Sequence, residues 1–141
     1  MTALAIVHKV QRAVLALYAL YAGASALITL VVPRVMGREL VGASLTSTAL
    51  IYSQLWAGAR LSMALVALVA AFVARPPRAL VWAVAIGLVA GLCGMWFAGA
   101  VSTVTWVELK PFWKWCAIDG LVALLLIATG LLRARLRRRI A

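Results

Sequence analysis

Four apolar runs, each about twenty residues long, leave this chain few ways to fold; they lie at about 13–32, 55–74, 79–101 and 112–132. At 1.5 Å rise per residue, twenty helical residues cover about 30 Å, the thickness of a bilayer's hydrocarbon core. In hydrocarbon each backbone N–H and C=O must bond within its own segment, so runs of this kind become helices. The expectation is an all-α fold, an integral membrane antiparallel four-helix bundle forming a single domain over 1–141. Composition points the same way. The chain is 67% hydrophobic and 12% charged with a mean hydropathy of +1.09, against about 45–50% apolar residues in a soluble domain.

The first run carries an ambiguity. His8, Lys9 and Arg12 precede it, and Ala22-Gly23-Ala24 imitates the cleavage site of a signal peptide. The apolar stretch continues through SALITLVV to Pro33, long enough for a full crossing, so it is read as a retained first span. Arg34–Gln54 is the longest polar connection, expected to hold a short helix on the outer face of the bundle. Its Ser44–Thr48 hydroxyls suit a helix start. Arg75-Pro76-Pro77-Arg78 is a rigid basic turn. Trp106, Trp113 and Trp115 form an aromatic belt around the connection of Ser102–Lys110, as Tyr52 and Trp56 do at the start of the second span.

The net charge of +11 and pI near 11.4 belong to residues flanking apolar runs, not to one soluble face, which argues against nucleic-acid binding. Such charge orients spans and holds anionic headgroups. Lys9, Arg12, Arg75, Arg78, Arg133, Arg135, Arg137, Arg138 and Arg139 share one side, and Arg34, Arg38, Arg60, Lys110 and Lys114 the other. The excess puts both termini in the cytosol. The tail arginines Arg133, Arg135, Arg137, Arg138 and Arg139 are expected to contact anionic lipid.

Two charges interrupt the apolar runs. Arg60 precedes Arg75 by fifteen positions and Asp119 precedes Arg133 by fourteen, so each lies about 21–23 Å from the basic end of its helix. Opposite charges at one depth in oil suggest a pair. Three readings stay open: a structural clasp between helices, a snorkelling Arg60 with other partners, and a functional site. Glu39 and Glu108 compete for Arg60, and Lys114 competes for Asp119. In the functional reading Trp56, Met63 and Trp115 line a cavity around the pair.

Gly87, Gly91 and Gly94 lie at helical spacing in the third run, and small residues let helices approach closely. They serve packing within the bundle or contact between copies of the chain. Ala19 and Gly23 read the same way. Cys93 and Cys116 read as small buried hydrophobes, with a disulfide as the alternative. No metal site is expected from the lone His8, and HExxH, Walker and GxSxG motifs are absent. Three carboxylates in all supply few reagents for hydrolysis. No cofactor is expected.

Arg60 with nearby Gly58, the Pro-Pro turn and Asp119-Gly120 resemble the small bacterial four-span proteins grouped as DoxX-like or BphX-like. The similarity covers most of the chain in length and topology. It implies a multi-pass protein of a bacterial inner membrane and, through the few characterised members, a link to quinone-coupled redox systems; it assigns no catalytic residue. The function expected from the residues is a non-enzymatic accessory subunit or lipid-associated scaffold, in a homo-oligomer or a larger complex. The alternatives are a transporter or ligand-binding protein using Arg60 and Asp119, and a membrane subunit of a quinone-linked redox system.

Overall fold

The computed structural model describes residues 3–32, 47–101 and 110–138. Four helices account for nearly all of them: α1 (Ala3–Val31), α2 (Ser47–Phe72), α3 (Arg78–Val101) and α4 (Lys110–Arg138). No strand occurs among the described residues. Three helices have described stretches long and apolar enough to cross a membrane: Ala3–Val31, Gln54–Phe72 and Lys114–Arg138. In α3 the described side chains give a shorter apolar stretch, Arg78–Gly94. The part of the polar connection expected to hold a short helix lies mostly outside the described residues, as do Trp106, Glu39, Glu108 and Arg139.

Three helices outrun their apolar stretches; α2 starts at Ser47, so the last part of the connection expected to reach Gln54 is already helix. α1 starts at Ala3 and carries His8, Lys9 and Arg12 on helical backbone. α4 begins beside Pro111, whose fixed φ suits a first turn, and continues through the basic tail to Arg138. Helical backbone in the tail fixes which way each arginine points.

The helices bury one stripe each. On α1 it is His8, Gln11, Leu15, Tyr18, Ala22, Ser25 and Thr29, at alternating steps of three and four. On α2 it includes Arg60, Ala64, Ala67 and Ala71, and on α4 Asp119, Ala123, Leu126, Gly130 and Arg133. Alternating three-and-four spacing belongs to helices packed about 20° from antiparallel. The long-range bonds run accordingly. Arg12 near the start of α1 reaches the Ala71 carbonyl near the end of α2, while Ser25 near the end of α1 meets Arg60 in α2.

Size is distributed inside out. Ala22, Ala57, Ala67 and Ala70 are fully buried, whereas Leu17, Leu20, Leu124 and Ile86 are each more than 60% exposed. Small residues at helix contacts allow close backbone approach and do not depend on expelling water. Glycine matters where that approach is tightest. A Cβ on Gly130 of α4 would come within 3.2 Å of the Trp82 ring of α3, and one on Gly23 of α1 would meet the Ala64 Cβ at 3.8 Å.

The basic ends of the helices gather at the α2–α3 turn. Arg12 Nε donates to the Ala71 carbonyl at 2.9 Å, and Arg133 Nη1 donates to the Pro76 carbonyl at 2.7 Å and to Gln11 Oε1 at 3.3 Å. Carbonyls at a helix C-terminus lack intrahelical partners. Here side chains of the two neighbouring helices supply them at and just after the end of α2.

Candidate functional site

Arg60 and Asp119 meet in the middle of the bundle. Arg60 Nη1 donates to Asp119 Oδ2 at 2.8 Å and Nη2 to Oδ1 at 3.0 Å, with each side chain 4% exposed. The paired fork joins two charge-assisted bonds, each roughly twice as strong as a neutral one, in a geometry specific to guanidinium and carboxylate. A third bond holds the guanidinium from α1: Arg60 Nε donates to Ser25 Oγ at 3.1 Å. Ser25 in turn donates to the Ala22 carbonyl, and Thr29 donates to the Ser25 carbonyl at 2.8 Å. The hydroxyls are thereby fixed by their own helix.

Aromatic rings complete the enclosure. The Arg60 guanidinium carbon lies 4.9 Å from the Trp56 ring centroid, 5.0 Å from Tyr21 and 5.7 Å from Trp115. Tyr21 and Trp115 stack with centroids 5.3 Å apart. A cation over a ring face gains about 0.5–2 kcal/mol, more as water is excluded. Arg60 therefore does not snorkel; it is held by α1, α2 and α4 together.

A cavity of about 120 Å³ adjoins the pair, walled by residues that include Tyr18, Trp56, Met63, Gly87 and Gly91 as well as both charges. Of the three expected lining residues, Trp56 and Met63 face it, while Trp115 stacks on Tyr21 instead. Gly87 explains the position of Met63: a Cβ there would lie 2.5 Å from the methionine Cε and 2.7 Å from Sδ. Gly91 and Gly94 have no such contact. No described atom lies within 4 Å of a Cβ added at either position.

The other expected groups fall apart from this centre. Arg135, Arg137 and Arg138 are exposed, as a lipid-contacting tail requires, but Arg133 is 4% exposed and departs from that reading. Its position one turn after Gly130 on the α4 stripe turns it inward, onto Gln11 and Pro76. Beside it His8 is also buried, and Arg133 Nε, Gln11 Nε2 and His8 Nε2 have no hydrogen-bond partner among the described residues. Neither Cys93, which is exposed, nor half-buried Cys116 is in a disulfide. Among the described residues no three His, Cys, Asp or Glu side chains come together.

Sequence reasoning missed Ser25, Tyr21 and Tyr18 on α1, although all but Tyr21 lie on the buried stripe whose spacing is visible in the sequence. It also missed Gln11 and the inward turn of Arg133, which the same spacing contains. No family model, no curated protein and no solved structure matches the chain.

Proposed function

We propose that the protein is a non-enzymatic, four-span integral membrane protein, an accessory subunit or lipid-associated scaffold of a bacterial inner membrane with both termini cytosolic. The observation that carries this reading is the chemical completeness of the Arg60–Asp119 centre. Each carboxylate oxygen accepts a guanidinium bond, and Ser25 and three rings take up the remaining reach of the arginine. A base or nucleophile needs an oxygen aimed at a substrate; here both are aimed at Arg60. The outward leucines and inward alanines support a hydrocarbon surrounding, since water would penalise that distribution and lipid does not.

Native mass spectrometry after mild detergent extraction tests the proposal. The expected result is a chain carrying lipid, further copies or a larger membrane assembly. A bare monomer that retains neither lipid nor partner overturns it.

A second reading, a small-ligand or transport site, is favoured by the cavity that touches both charges. At about 120 Å³ it is small beside the 300–1,000 Å³ of ordinary ligand pockets. Ala59→Cys or Gly91→Cys, in a chain freed of its two natural cysteines, would report access. Modification by a membrane-impermeant thiol reagent favours this reading, and protection of both positions removes it. The resemblance to DoxX-like and BphX-like proteins keeps a quinone-linked redox role as a further proposal, to be sought as a bound chromophore in the same extract.

A further inference from the structure

The cavity of about 120 Å³ beside the Arg60–Asp119 pair is lined by one polar group that the described residues leave unused. Tyr18 of α1 stands in its wall and is 2% exposed, yet its hydroxyl joins none of the hydrogen bonds among the described residues. A buried tyrosine hydroxyl ordinarily finds a partner, and leaving one unpaired carries the full desolvation penalty. The ion pair does not supply that partner. Arg60 bonds Asp119 and Ser25, and both carboxylate oxygens accept from Arg60. The rest of the wall is apolar: α3 contributes Gly87, Leu88 and Gly91, and α2 contributes Trp56 and Met63. A Cβ on Gly91 would meet no described atom within 4 Å, so it would enter open space.

From this juxtaposition we propose that the cavity binds one single-ring aromatic alcohol, a molecule of the phenol class, whose oxygen pairs with the Tyr18 hydroxyl. Size sets the first limit. A dry protein cavity of about 150 Å³ takes up one benzene, so about 120 Å³ admits one ring with a small adjustment and nothing larger. Met63 supplies that adjustment: methionine is unbranched with three rotatable bonds, and the end of this one lies over Gly87, where no Cβ confines it. Shape sets the second limit. Backbone without Cβ atoms at Gly87 and Gly91 leaves a flat wall for a ring face, and Trp56 and Met63 add aromatic and sulfur contacts. Polarity selects within that shape. Benzene would leave Tyr18 unpaired, whereas a charged ring would bring an unmatched ion to a pair whose charges already neutralise each other. The inference rests on the ligand-site reading given above and assigns that ligand its chemical class.

Fluorine NMR of the full chain in nanodiscs tests this, with para-fluorophenol and fluorobenzene as the probes, each measured against its own partition into empty nanodiscs. Para-fluorophenol is expected to saturate at one per chain and to bind about fivefold tighter than fluorobenzene, the ratio for one neutral hydrogen bond. Tyr18→Phe removes the hydroxyl and keeps the ring, so it should abolish that difference and leave fluorobenzene binding as in the parent. Gly91→Leu fills the cavity and removes both ligands, while Gly94→Leu, outside the lining, keeps both. The inference is overturned if the parent holds the two rings equally or if Tyr18→Phe keeps the preference. It is overturned too if Gly91→Leu still binds para-fluorophenol, or if Gly94→Leu loses the ligands as fully as Gly91→Leu does. Where Gly91→Cys is modified by the impermeant thiol reagent and neither ring binds, the phenol class alone fails. Where Ala59→Cys and Gly91→Cys are both protected and neither ring binds, the ligand-site reading fails with it.

Discussion

Breaking the Arg60–Asp119 pair from either side should cost several kcal/mol, and breaking it from both sides should cost much less than the sum. Removing one partner of a buried ion pair strands the other charge and costs about 3–5 kcal/mol. Asp119→Asn keeps one acceptor oxygen but turns amide protons toward a guanidinium that also donates, so a loss of about 3 kcal/mol is expected. Arg60→Ala strands the carboxylate and also empties the space between Trp56, Tyr21 and Trp115, whose rings sit 4.9, 5.0 and 5.7 Å from the cation. That places it toward 5 kcal/mol. The double variant holds neither charge, and residues in direct contact couple by up to about 3 kcal/mol. For a chain of 141 residues each kcal/mol moves the melting midpoint by about 3–4 °C. The single variants should therefore melt about 10 °C or more below the parent in detergent, followed by tryptophan fluorescence. Arg60→Lys is a useful third point, since an ammonium cannot fork across two oxygens and should recover only part of the loss. Losses that add to within about 0.5 kcal/mol would refute the clasp.

Three further outcomes follow from local geometry. Gly130→Ala should destabilise by about 1 kcal/mol or more because its Cβ meets the broad Trp82 ring at 3.2 Å, whereas Gly91→Ala and Gly94→Ala, open among the described residues, should gain about 0.5–1 kcal/mol of helix propensity; thermal melts of the three variants decide this. Arg133→Ala should cost about 1.5–3 kcal/mol by stripping the Pro76 carbonyl and Gln11 of a charged donor, while Arg135→Ala should be close to neutral in the same melt. Alkylation of the denatured chain without reductant should raise its mass by two labels, and an unchanged mass would contradict two reduced thiols at Cys93 and Cys116.

Length and hydropathy made the helices readable, because a run of about twenty apolar residues has one outcome in hydrocarbon. That Arg60 and Asp119 share one level of the bundle was readable too, from counting residues back to each basic end. What counting apolar residues overlooks is direction. In a bundle where leucine faces out, hydrophobicity does not mark the buried face, and the polar members of the stripe carry the information instead. His8, Gln11, Ser25 and Thr29 share one face of α1 with Leu15, Tyr18 and Ala22. Carrying steps of three and four forward from Asp119 through Ala123, Leu126 and Gly130 arrives at Arg133. Treating the tail as a block of like charges concealed that arginine's inward turn. Glycine spacing misleads for a related reason: Gly87 has Met63 against it and Gly91 has nothing, and the sequence interval alone does not separate them.

The polar groups also bear on why this core has a single register. Alanine-rich stripes offer similar surfaces at each turn, so sliding α1 past α2 by one turn, about 5.4 Å, changes the apolar contacts little. It would, however, take Ser25 away from Arg60 and the Ala71 carbonyl away from Arg12. Buried polar groups fixing register at some cost in stability is a recognised use of such pairs. The proximity of Gly23 to Ala64 gives a direct measure, because Cβ atoms at 3.8 Å suit a disulfide. In a chain lacking Cys93 and Cys116, Gly23→Cys with Ala64→Cys should crosslink efficiently, and Gly23→Cys with Ala67→Cys, one turn away, should not. Adding Arg60→Leu and Asp119→Leu should leave the helices formed, since apolar replacement of both charges is often tolerated. The crosslink should then spread to the Ala67 partner. An unchanged Gly23–Ala64 preference in that background would mean that the Arg60–Asp119 pair does not set the register, which then falls to the alanine surfaces and the Arg12–Ala71 bond.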